Sequence, residues 1–427
     1  MGTPLILILI LFHVALGAED CPKEELLKNI RSLMERHYLW WDKIKDLQWK
    51  DEQDLIQYLR RIGDRWSAIT RQEEEKLWYS SSKMLGLGIR WDEKGYVIRV
   101  FKNSPAEKYG IKEGDLIISI NDATDKSLWR KVLMDVKKGE IIKVAVVREG
   151  LFKEFYVVKG EFDVPVVEDV KVLRYGELRV GYVKINNFTQ PALGAFEKAL
   201  EELQQEGFDV LLLDLRDNGG GLISVAKGIV DMLVGGEGVM FYLEGRGKNF
   251  GVYQFKNKEG LNKPIILLVG KQTASAAELV AVLLKRHAKA IIVGENTVGK
   301  YVGSNLYPLD PCGHVLRLVT FEMKLPSGET ITSDKGLSPD CKLTNGDFLN
   351  KSIECLSIHN LGVAPAGQPQ APPWTFEYLL EWHTLVAQTS PFVLDKPLCP
   401  HQIYPSCFLA SLLSPPLGQR PKEKENL

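Results

Sequence analysis

The stretch Val210-Leu-Leu-Leu-Asp-Leu-Arg-Asp-Asn-Gly-Gly-Gly-Leu222 decides the fold of this chain. A short apolar run followed by glycines is typical of a strand buried on both faces of a parallel sheet. The three glycines precede a helical pattern at Gly221–Leu233, so backbone N–H groups can face an anion near the helix start. A tetrahedral acyl intermediate is such an anion. Taken alone, however, the glycines are better explained as a tight strand–helix turn.

Strand and helix patterns alternate on both sides of this stretch, from Phe162 onward. Such alternation predicts an α/β domain with a largely parallel sheet. The carboxyl ends of its strands meet at one edge, where functional sites form. The predicted strands are Leu178–Ile185, Val210–Arg216, Pro264–Gly270 and Ala290–Gly294, and the predicted helices are Gln190–Glu206, Gly221–Leu233 and Ser275–His287.

Two other loops at this edge carry a serine and a lysine, Ser275 and Lys300. A helical crossover between neighbouring strands places such loops side by side, about 5 Å apart. Ser275 and Glu278 also have the spacing of a capping box, so Ser275 alone is better explained as a helix cap. A lone lysine is normally a solvated charge. His287 lies about 18 Å along the helix from Ser275, which excludes it as the base.

The region before this domain has two parts. Residues 21–80 read as helical, with apolar residues at three- and four-residue spacing. The run Asn103-Ser-Pro-Ala-Glu-Lys-Tyr-Gly-Ile-Lys-Glu-Gly-Asp-Leu-Ile-Ile-Ser-Ile-Asn121 resembles the PDZ domains of bacterial proteases. The resemblance implies a groove that accepts an extended C-terminal peptide by β-addition. Its carboxylate-binding loop corresponds to Leu85-Gly86-Leu87-Gly88, although these glycines are also explained by a simple turn.

The segments 214–222 (DLRDNGGGL) and 273–300 (TASAAELVAVLLKRHAKAIIVGENTVGK) together resemble the C-terminal processing (tail-specific) serine peptidases of family S41. The resemblance implies a ClpP/crotonase-like α/β core, with Ser275 as nucleophile and Lys300 as general base. A lysine titrates near ~10.4 in water, so it must be buried and uncharged to accept the serine proton. By position, Gly220 and Ala276 correspond to the oxyanion N–H donors, and Asp214, Arg216 and Glu278 to supporting residues.

The chain departs from the family pattern at two places. Tyr301 and Ser304 stand where many members have Gly and Gln, which puts a third polar partner of the dyad in doubt. Asp64-Arg-Trp-Ser67 stands where some members have Asp-Pro-His-Ser, which argues against a Ser-His variant.

Composition limits the partners. Lys plus Arg (54) balance Asp plus Glu (55) across 427 residues, so nothing favours nucleic acid or an anionic membrane surface. The seven His and six Cys lack metal-ligand spacing, so we expect no metal and no cofactor. We expect protein or peptide substrates with unstructured C-termini.

The two ends differ from the middle. The first 17 residues read as a signal peptide, with an uncleaved anchor as the alternative, so we expect export to the periplasm or outside the cell. Export permits disulfides; Cys312 and Cys341 are the first pair to test, and free buried thiols are the alternative. Residues 356–427 hold 11 of the 21 prolines and predict irregular or disordered chain, apart from a short helix at Thr375–Val386.

The predicted organisation is a signal peptide (1–17), a helical N-terminal region (18–82), a PDZ domain (83–160), a peptidase core (161–355) and a proline-rich tail (356–427). The predicted function is an exported serine endopeptidase with a Ser-Lys dyad. Two alternatives stay open, a non-catalytic ligand- or peptide-binding protein and a crotonase-like acyl-CoA enzyme. The PDZ module has no role in the last of these.

Overall fold

The computed structural model describes residues 23–309, 313–343 and 347–359. Its N-terminal region is helical, as the spacing predicts: the first helix buries Leu26, Ile30 and Met34 on one face. This face packs against residues 302–319 of the core and forms one hydrophobic cluster with them. The elements are α1 (Lys23–His37), a 3₁₀ turn (Trp41–Lys43), α2 (Glu52–Arg61), β1 (Ala68–Arg71) and α3 (Gln72–Ser81).

The PDZ module is a set of short antiparallel strands around its own core. Pro105 occupies the first turn of a short helix, which Ser104 caps by accepting the N–H of Glu107. Trp129 is fully buried and donates its indole N–H to the Ala123 carbonyl. The elements are β2 (Lys83–Gly86), β3 (Ile89–Trp91), β4 (Val97–Val100), α4 (Pro105–Lys108), β5 (Leu116–Ile120), α5 (Lys126–Asp135), β6 (Ile141–Arg148), β7 (Leu151–Val158) and β8 (Gly160–Asp163).

The core is built on a six-stranded sheet, and the prediction of a largely parallel α/β domain is confirmed. The strand order is β18-β15-β14-β11-β10-β9, and every neighbouring pair is parallel except β10 with β9. The two central strands are buried at every position, as their continuous apolar runs predict. These elements are β9 (Val167–Tyr175), β10 (Leu178–Ile185), α6 (Ala192–Glu206), β11 (Val210–Asp214), α7 (Ile223–Leu233), β14 (Ile265–Val269), α8 (Ala276–Ala288), β15 (Ile291–Gly294) and β18 (Cys341–Lys342).

A second, antiparallel sheet was not predicted. Its members are β12 (Val239–Gly245), β13 (Lys248–Gln254), β16 (Val302–Leu309) and β17 (His314–Lys324), joined by β1. Strand β17 pairs with β16, and with β1 and β12 toward its two ends. The register places Ala68 opposite Arg317, so the N-terminal region pairs with a strand that comes much later in the sequence. Pairing between strands so far apart in the sequence leaves no local sequence pattern from which it could be predicted.

The chain beyond the sheets ends in helix α9 (Phe348–Ile358), which lies over the outer face of the parallel sheet. Cys341 forms a disulfide with Cys355 on this helix, with 6.2 Å between the Cα atoms. The expected Cys312–Cys341 pair is therefore wrong, because the helix folds back onto β18 and brings Cys355 to it. The helix also continues past the predicted core boundary at residue 355.

Several sequence predictions lie outside the described residues: the signal peptide, Cys21, Cys312 and the helix at Thr375–Val386. Within the described ranges, no helix combines the length and the apolar character that crossing a membrane requires.

Candidate active site

Three loops meet at the carboxyl edge of the parallel sheet, as predicted. Strands β11, β14 and β15 are neighbours, with Asp214 opposite Leu268 and Val269 opposite Gly294. The loops that follow them carry the glycine run, Ser275 and Lys300. Ser275 and Lys300 line one cavity of about 400 Å³, together with the glycine run.

Ser275 sits at the start of α8 in an unusual backbone conformation. Its φ of 57° and ψ of −121° lie in a region that residues with a side chain seldom adopt. Neighbouring bonds hold the loop in place: Thr273 Oγ1 donates to the Leu215 carbonyl (2.7 Å), and the Ala274 N–H donates to the Asn218 carbonyl (3.1 Å). A sharp turn of this kind presents a serine hydroxyl at the end of a strand.

Glu278 joins the serine loop to the lysine loop. Its carboxylate is fully buried, and one oxygen accepts the backbone N–H of both Ser275 and Lys300, each at 2.8 Å. The other oxygen accepts the Gly299 N–H (2.8 Å) and the Thr297 hydroxyl. The Ser275–Glu278 pair has the capping arrangement that the spacing predicts, and the same carboxylate also fixes the loop of the candidate base.

Lys300 is partly buried and lies beside an aromatic ring. Its Nζ lies 5.0 Å from the centroid of the Trp66 ring, and it makes no hydrogen bond or ion pair within the described part of the chain. Burial lowers the pKa of Lys300, and the Arg317 charge lowers it further, against the opposite pull of Asp64, Glu278 and Glu75. The resulting pKa is about 8, so roughly a tenth of the amine is uncharged at pH 7, far more than for an ordinary lysine that titrates at ~10.4.

The glycine loop approaches the serine closely. A Cβ at Gly220 would lie 3.0 Å from both Ser275 Cβ and Ala276 N, and φ is +95° there, so a side chain is excluded. The Gly220 N–H itself donates to Asn218 Oδ1 (2.8 Å), and Asn218 Nδ2 donates to the Ile185 carbonyl (3.0 Å). In this structure the predicted donor Gly220 is therefore engaged with Asn218, a residue that the sequence analysis missed.

Asp214 and Arg216 brace the end of β11 and do not line the cavity. Asp214 is fully buried; it accepts the Tyr182 hydroxyl (2.8 Å) and binds the Arg216 guanidinium through both oxygens. The Arg216 guanidinium lies 5.0 Å from the centroid of the Phe348 ring on α9. Both residues thus hold the strand from which the glycine loop starts, and their role in supporting the site stays a prediction.

The PDZ module reaches the same cavity through side chains that the sequence analysis did not single out. Arg90, Arg99 and Phe101 line it, and Arg90 lies 3.8 Å from Asp217 of the glycine loop. Arg99 forms an ion pair with Glu168 on β9. Ser304 also lines the cavity, and its Oγ is buried without a hydrogen bond among the described residues.

The predicted peptide-binding residues line a neighbouring groove of the PDZ module, which shares Arg90 and Phe101 with the first cavity. Leu85, Gly86, Leu87 and Gly88 line a cavity of about 440 Å³. Its walls are mainly apolar and include Phe101, Leu133, Met134 and Phe162. A larger cavity of about 650 Å³ lies at the amino end of β14 and contains His287, which confirms that this histidine is remote from the serine.

Comparison with known proteins agrees with this architecture. Residues 179–343 match the family model described as Peptidase family S41. The carboxy-terminal processing protease CtpA of Bacillus subtilis (strain 168) is 27% identical over 303 residues, which is 68% of this chain and 63% of that protein. The match identifies residues 179–343 as a peptidase S41 domain.

Other matches extend beyond this segment. Residues 83–158 match a PDZ domain model. The carboxyl-terminal-processing protease of Picosynechococcus sp. is 28% identical over 309 residues, which is 68% of the chain and 74% of that protein. The chain thus spans between about three fifths and three quarters of the length of these two relatives.

Solved structures agree on the fold of the chain. A photosystem II D1 C-terminal processing protease superposes with a TM-score of 0.54 at 21% identity, covering 81% of this chain and 99% of that one. A putative S41 protease from Bacteroides fragilis gives a TM-score of 0.54 at 19% identity, covering 74% and 90% respectively. The predicted fold class, an S41 α/β core with a PDZ domain and a helical N-terminal region, is confirmed.

Proposed function

We propose that this chain is an exported serine endopeptidase that cleaves protein substrates recognised through their C-terminal tails. The observation that carries the proposal is that Ser275 and Lys300 line one cavity while their loops share the Glu278 carboxylate. A hydroxyl and a buried amine without an ion pair are the groups that a Ser-Lys dyad requires.

In the proposed reaction, Ser275 Oγ attacks the scissile carbonyl carbon while the neutral Lys300 amine takes the hydroxyl proton. The tetrahedral intermediate carries an oxyanion, for which the Ala276 N–H and the glycine loop are the candidate donors. Its collapse breaks the C–N bond, and the Lys300 ammonium returns the proton to the leaving amine. Water then attacks the Ser275 ester, again giving its proton to Lys300, and the product acid and free serine are released.

Substrate choice is proposed to lie in the PDZ groove. PDZ domains bind extended C-terminal peptides beside a strand, with backbone N–H groups toward the terminal carboxylate. The loop Leu85–Gly88 and the apolar walls around it match that task. Export is supported by the Cys341–Cys355 disulfide, since disulfides persist in oxidising compartments.

The test is cleavage of a folded protein that ends in an unstructured apolar tail. Ser275→Ala and Lys300→Ala should each lower the rate by at least ~10³-fold while the circular dichroism spectrum is retained. Lys271→Ala is the matched control, because Lys271 is an exposed lysine on the serine loop, paired with Glu295. A Lys300→Ala enzyme with near wild-type rate would exclude the dyad.

A non-catalytic binding protein on the same fold is the second candidate. The bond from the Gly220 N–H to Asn218 favours it, because this donor does not face an oxyanion in the structure. An active-site acylating probe separates the two candidates. Mass spectrometry should find the label on Ser275 if the chain is a peptidase; absence of label with and without a tail peptide would favour the binding protein.

A further inference from the structure

We propose that Trp66 is a positioning residue for Lys300: its indole ring covers Nζ, excludes water from the amine and so keeps the base ready to accept a proton. This inference rests on the proposed function. The ring centroid lies 5.0 Å from Nζ, within cation–π range, and both residues are partly buried. Trp66 belongs to the loop between α2 and β1, far from Lys300 in sequence.

The backbone around Trp66 is fixed by a buried carboxylate. Asp64 is fully buried, and its Oδ1 accepts the N–H of Trp66 (2.8 Å) and of Ser67 (2.9 Å). Its Oδ2 accepts the Tyr38 hydroxyl (2.9 Å) from the end of α1. Arg60 on α2 donates to the carbonyls of Asp64 and Ser67. The turn that carries the indole is thus held by two helices.

The same turn is fastened to the core sheet beside the lysine. Ser67 is fully buried, and its Oγ accepts the Val319 N–H (3.0 Å) on β17. Val319 pairs with Ser304 on β16, the strand that follows the lysine loop. The turn that carries the indole and the strand that follows the lysine loop are therefore both attached to β17 by hydrogen bonds.

The carboxylates near Lys300 all bind partners other than its amine. Glu75 on α3 pairs with Arg317 on β17 (2.9 Å), Glu278 on α8 accepts four bonds from the two active-site loops, and Asp64 holds the Trp66 turn. None of them forms an ion pair with Lys300 within the described residues. If the indole is removed, the partner that becomes available to the amine is water.

Two effects of the indole oppose each other. Its electron-rich face favours the ammonium, whereas its bulk removes water and favours the neutral amine. Burial is the largest influence on Lys300, and it lowers the pKa. Loss of the indole should therefore raise the pKa of Lys300 toward that of an ordinary lysine. The amine would then become a neutral base only at a higher pH.

The test measures the titration of Lys300 directly in a Ser275→Ala background, where self-cleavage is absent. Pulses of acetic anhydride at pH 6 to 11, followed by peptide mass spectrometry, give the fraction of reactive amine at each pH. In the Ser275→Ala protein with Trp66 intact, we expect the midpoint of Lys300 acetylation near pH 8. After Trp66→Leu or Trp66→Ala, the midpoint should lie at least one pH unit higher. Trp66→Phe, which keeps an aromatic face, should shift it less.

The matched activity measurement uses the same substitutions with Ser275 intact. The kcat/KM of Trp66→Leu should fall about tenfold or more at pH 7 and recover by pH 10, because each pH unit changes the neutral fraction about tenfold. Trp49→Leu, at a partly buried tryptophan against Arg31, is the control and should leave the profile unchanged. Equal loss at every pH with an unmoved midpoint would mean that Trp66 only supports the fold, and the inference would be wrong.

The two proposals fail differently. If the intact chain neither cleaves nor takes the acylating probe, the peptidase proposal fails, while the acetylation midpoints still decide the role of Trp66. If Trp66→Ala does not fold, Trp66→Phe and Trp66→Leu provide the same comparison. An unshifted midpoint in a folded leucine variant rejects the inference whatever the catalytic result.

Discussion

The backbone N–H groups of Ser275 and Lys300 donate to the same oxygen atom, Glu278 Oε2, at 2.8 Å each. The candidate nucleophile and the candidate base therefore have a common anchor, although they follow different strands. A displacement of this carboxylate would move both loops together. Because the Glu278 carboxylate is fully buried, water cannot take its place as the acceptor for the four groups that donate to it.

Substitution of Glu278 should therefore damage both stability and activity. Glu278→Gln keeps the shape of the side chain but replaces one accepting oxygen by an NH2 group, which then faces N–H and O–H donors. We therefore expect a loss of about 2–4 kcal/mol in the free energy of unfolding. The kcat/KM should fall by at least ~10²-fold, because loop placement is lost. Thermal unfolding and steady-state kinetics measure both. Glu295→Gln, whose partner is the exposed Lys271, should change neither, and a fully active Glu278→Gln would contradict the shared-anchor argument.

The pH dependence follows from the pKa of Lys300. The base works as the neutral amine, and its pKa is about 8, so kcat/KM should rise about tenfold per pH unit below 8 and level off above it. Initial rates between pH 6 and 9.5, measured at substrate concentrations from below KM to saturation, give kcat/KM at each pH. Lys271→Ala should retain the curve. A flat profile across pH 6 to 8 would rule out Lys300 as the titrating base.

Removing the lysine should stabilise the fold while abolishing activity. The folded-state pKa of Lys300 is lowered to about 8, against an unfolded value near ~10.4, so protonation favours the unfolded chain. The penalty is complete below pH 8 and disappears as the pH rises toward ~10.4. Lys300→Met should thus raise Tm most at pH 7 and little at pH 10. A Tm gain independent of pH would show that packing alone is responsible.

Gly88 should be essential to peptide binding for a steric reason. A Cβ there would lie 2.2 Å from Ser104 Cβ, and φ is +79°. Gly88→Ala must distort the Leu85–Gly88 loop, and we expect at least tenfold weaker binding of a peptide with an apolar C-terminal residue. Fluorescence anisotropy measures the affinity. Gly114→Ala is the matched control, with φ of +89° but open space around the new methyl, and the C-terminal amide of the peptide should bind weakly to every variant.

The disulfide should stabilise the core without being needed for catalysis. Cys341 and Cys355 close a short loop that holds α9 on the sheet, so Cys341→Ser/Cys355→Ser should lower the unfolding free energy by about 3 kcal/mol. Dithiothreitol should lower the Tm of the unmodified chain but not that of the double variant. Equal sensitivity of both proteins would assign the effect to other cysteines.

The sequence predicted those parts of the molecule that depend on local pattern. Apolar runs gave the parallel strands, and the loops after Val269 and Gly294 met because neighbouring parallel strands end at one edge. The glycine loop was placed beside the serine for the same reason. The resemblance to family S41 rested on two motifs with a specific spacing, and the family model matches residues 179–343.

The parts that escaped prediction depend on contacts between distant segments. Neither the pairing of Ala68 with Arg317 nor the contact of Trp66 with Lys300 has a periodic signature. From sequence, the Asp64-Arg-Trp-Ser67 run was interpreted only as a departure from a family pattern. In the structure, its Trp66 lies against the candidate base. The choice of Cys355 as partner of Cys341 depended likewise on how α9 folds back.

The pairing of β1 with β17 has a consequence for biosynthesis. A ribosome must add about 250 residues after Ala68 before its partner Arg317 exists, and the strand that carries Arg317 also fastens the turn beside the candidate base. Contacts so far apart in sequence form late. A truncated polypeptide that ends before this strand therefore contains both Ser275 and Lys300 but lacks the strand to which the Trp66 turn is attached.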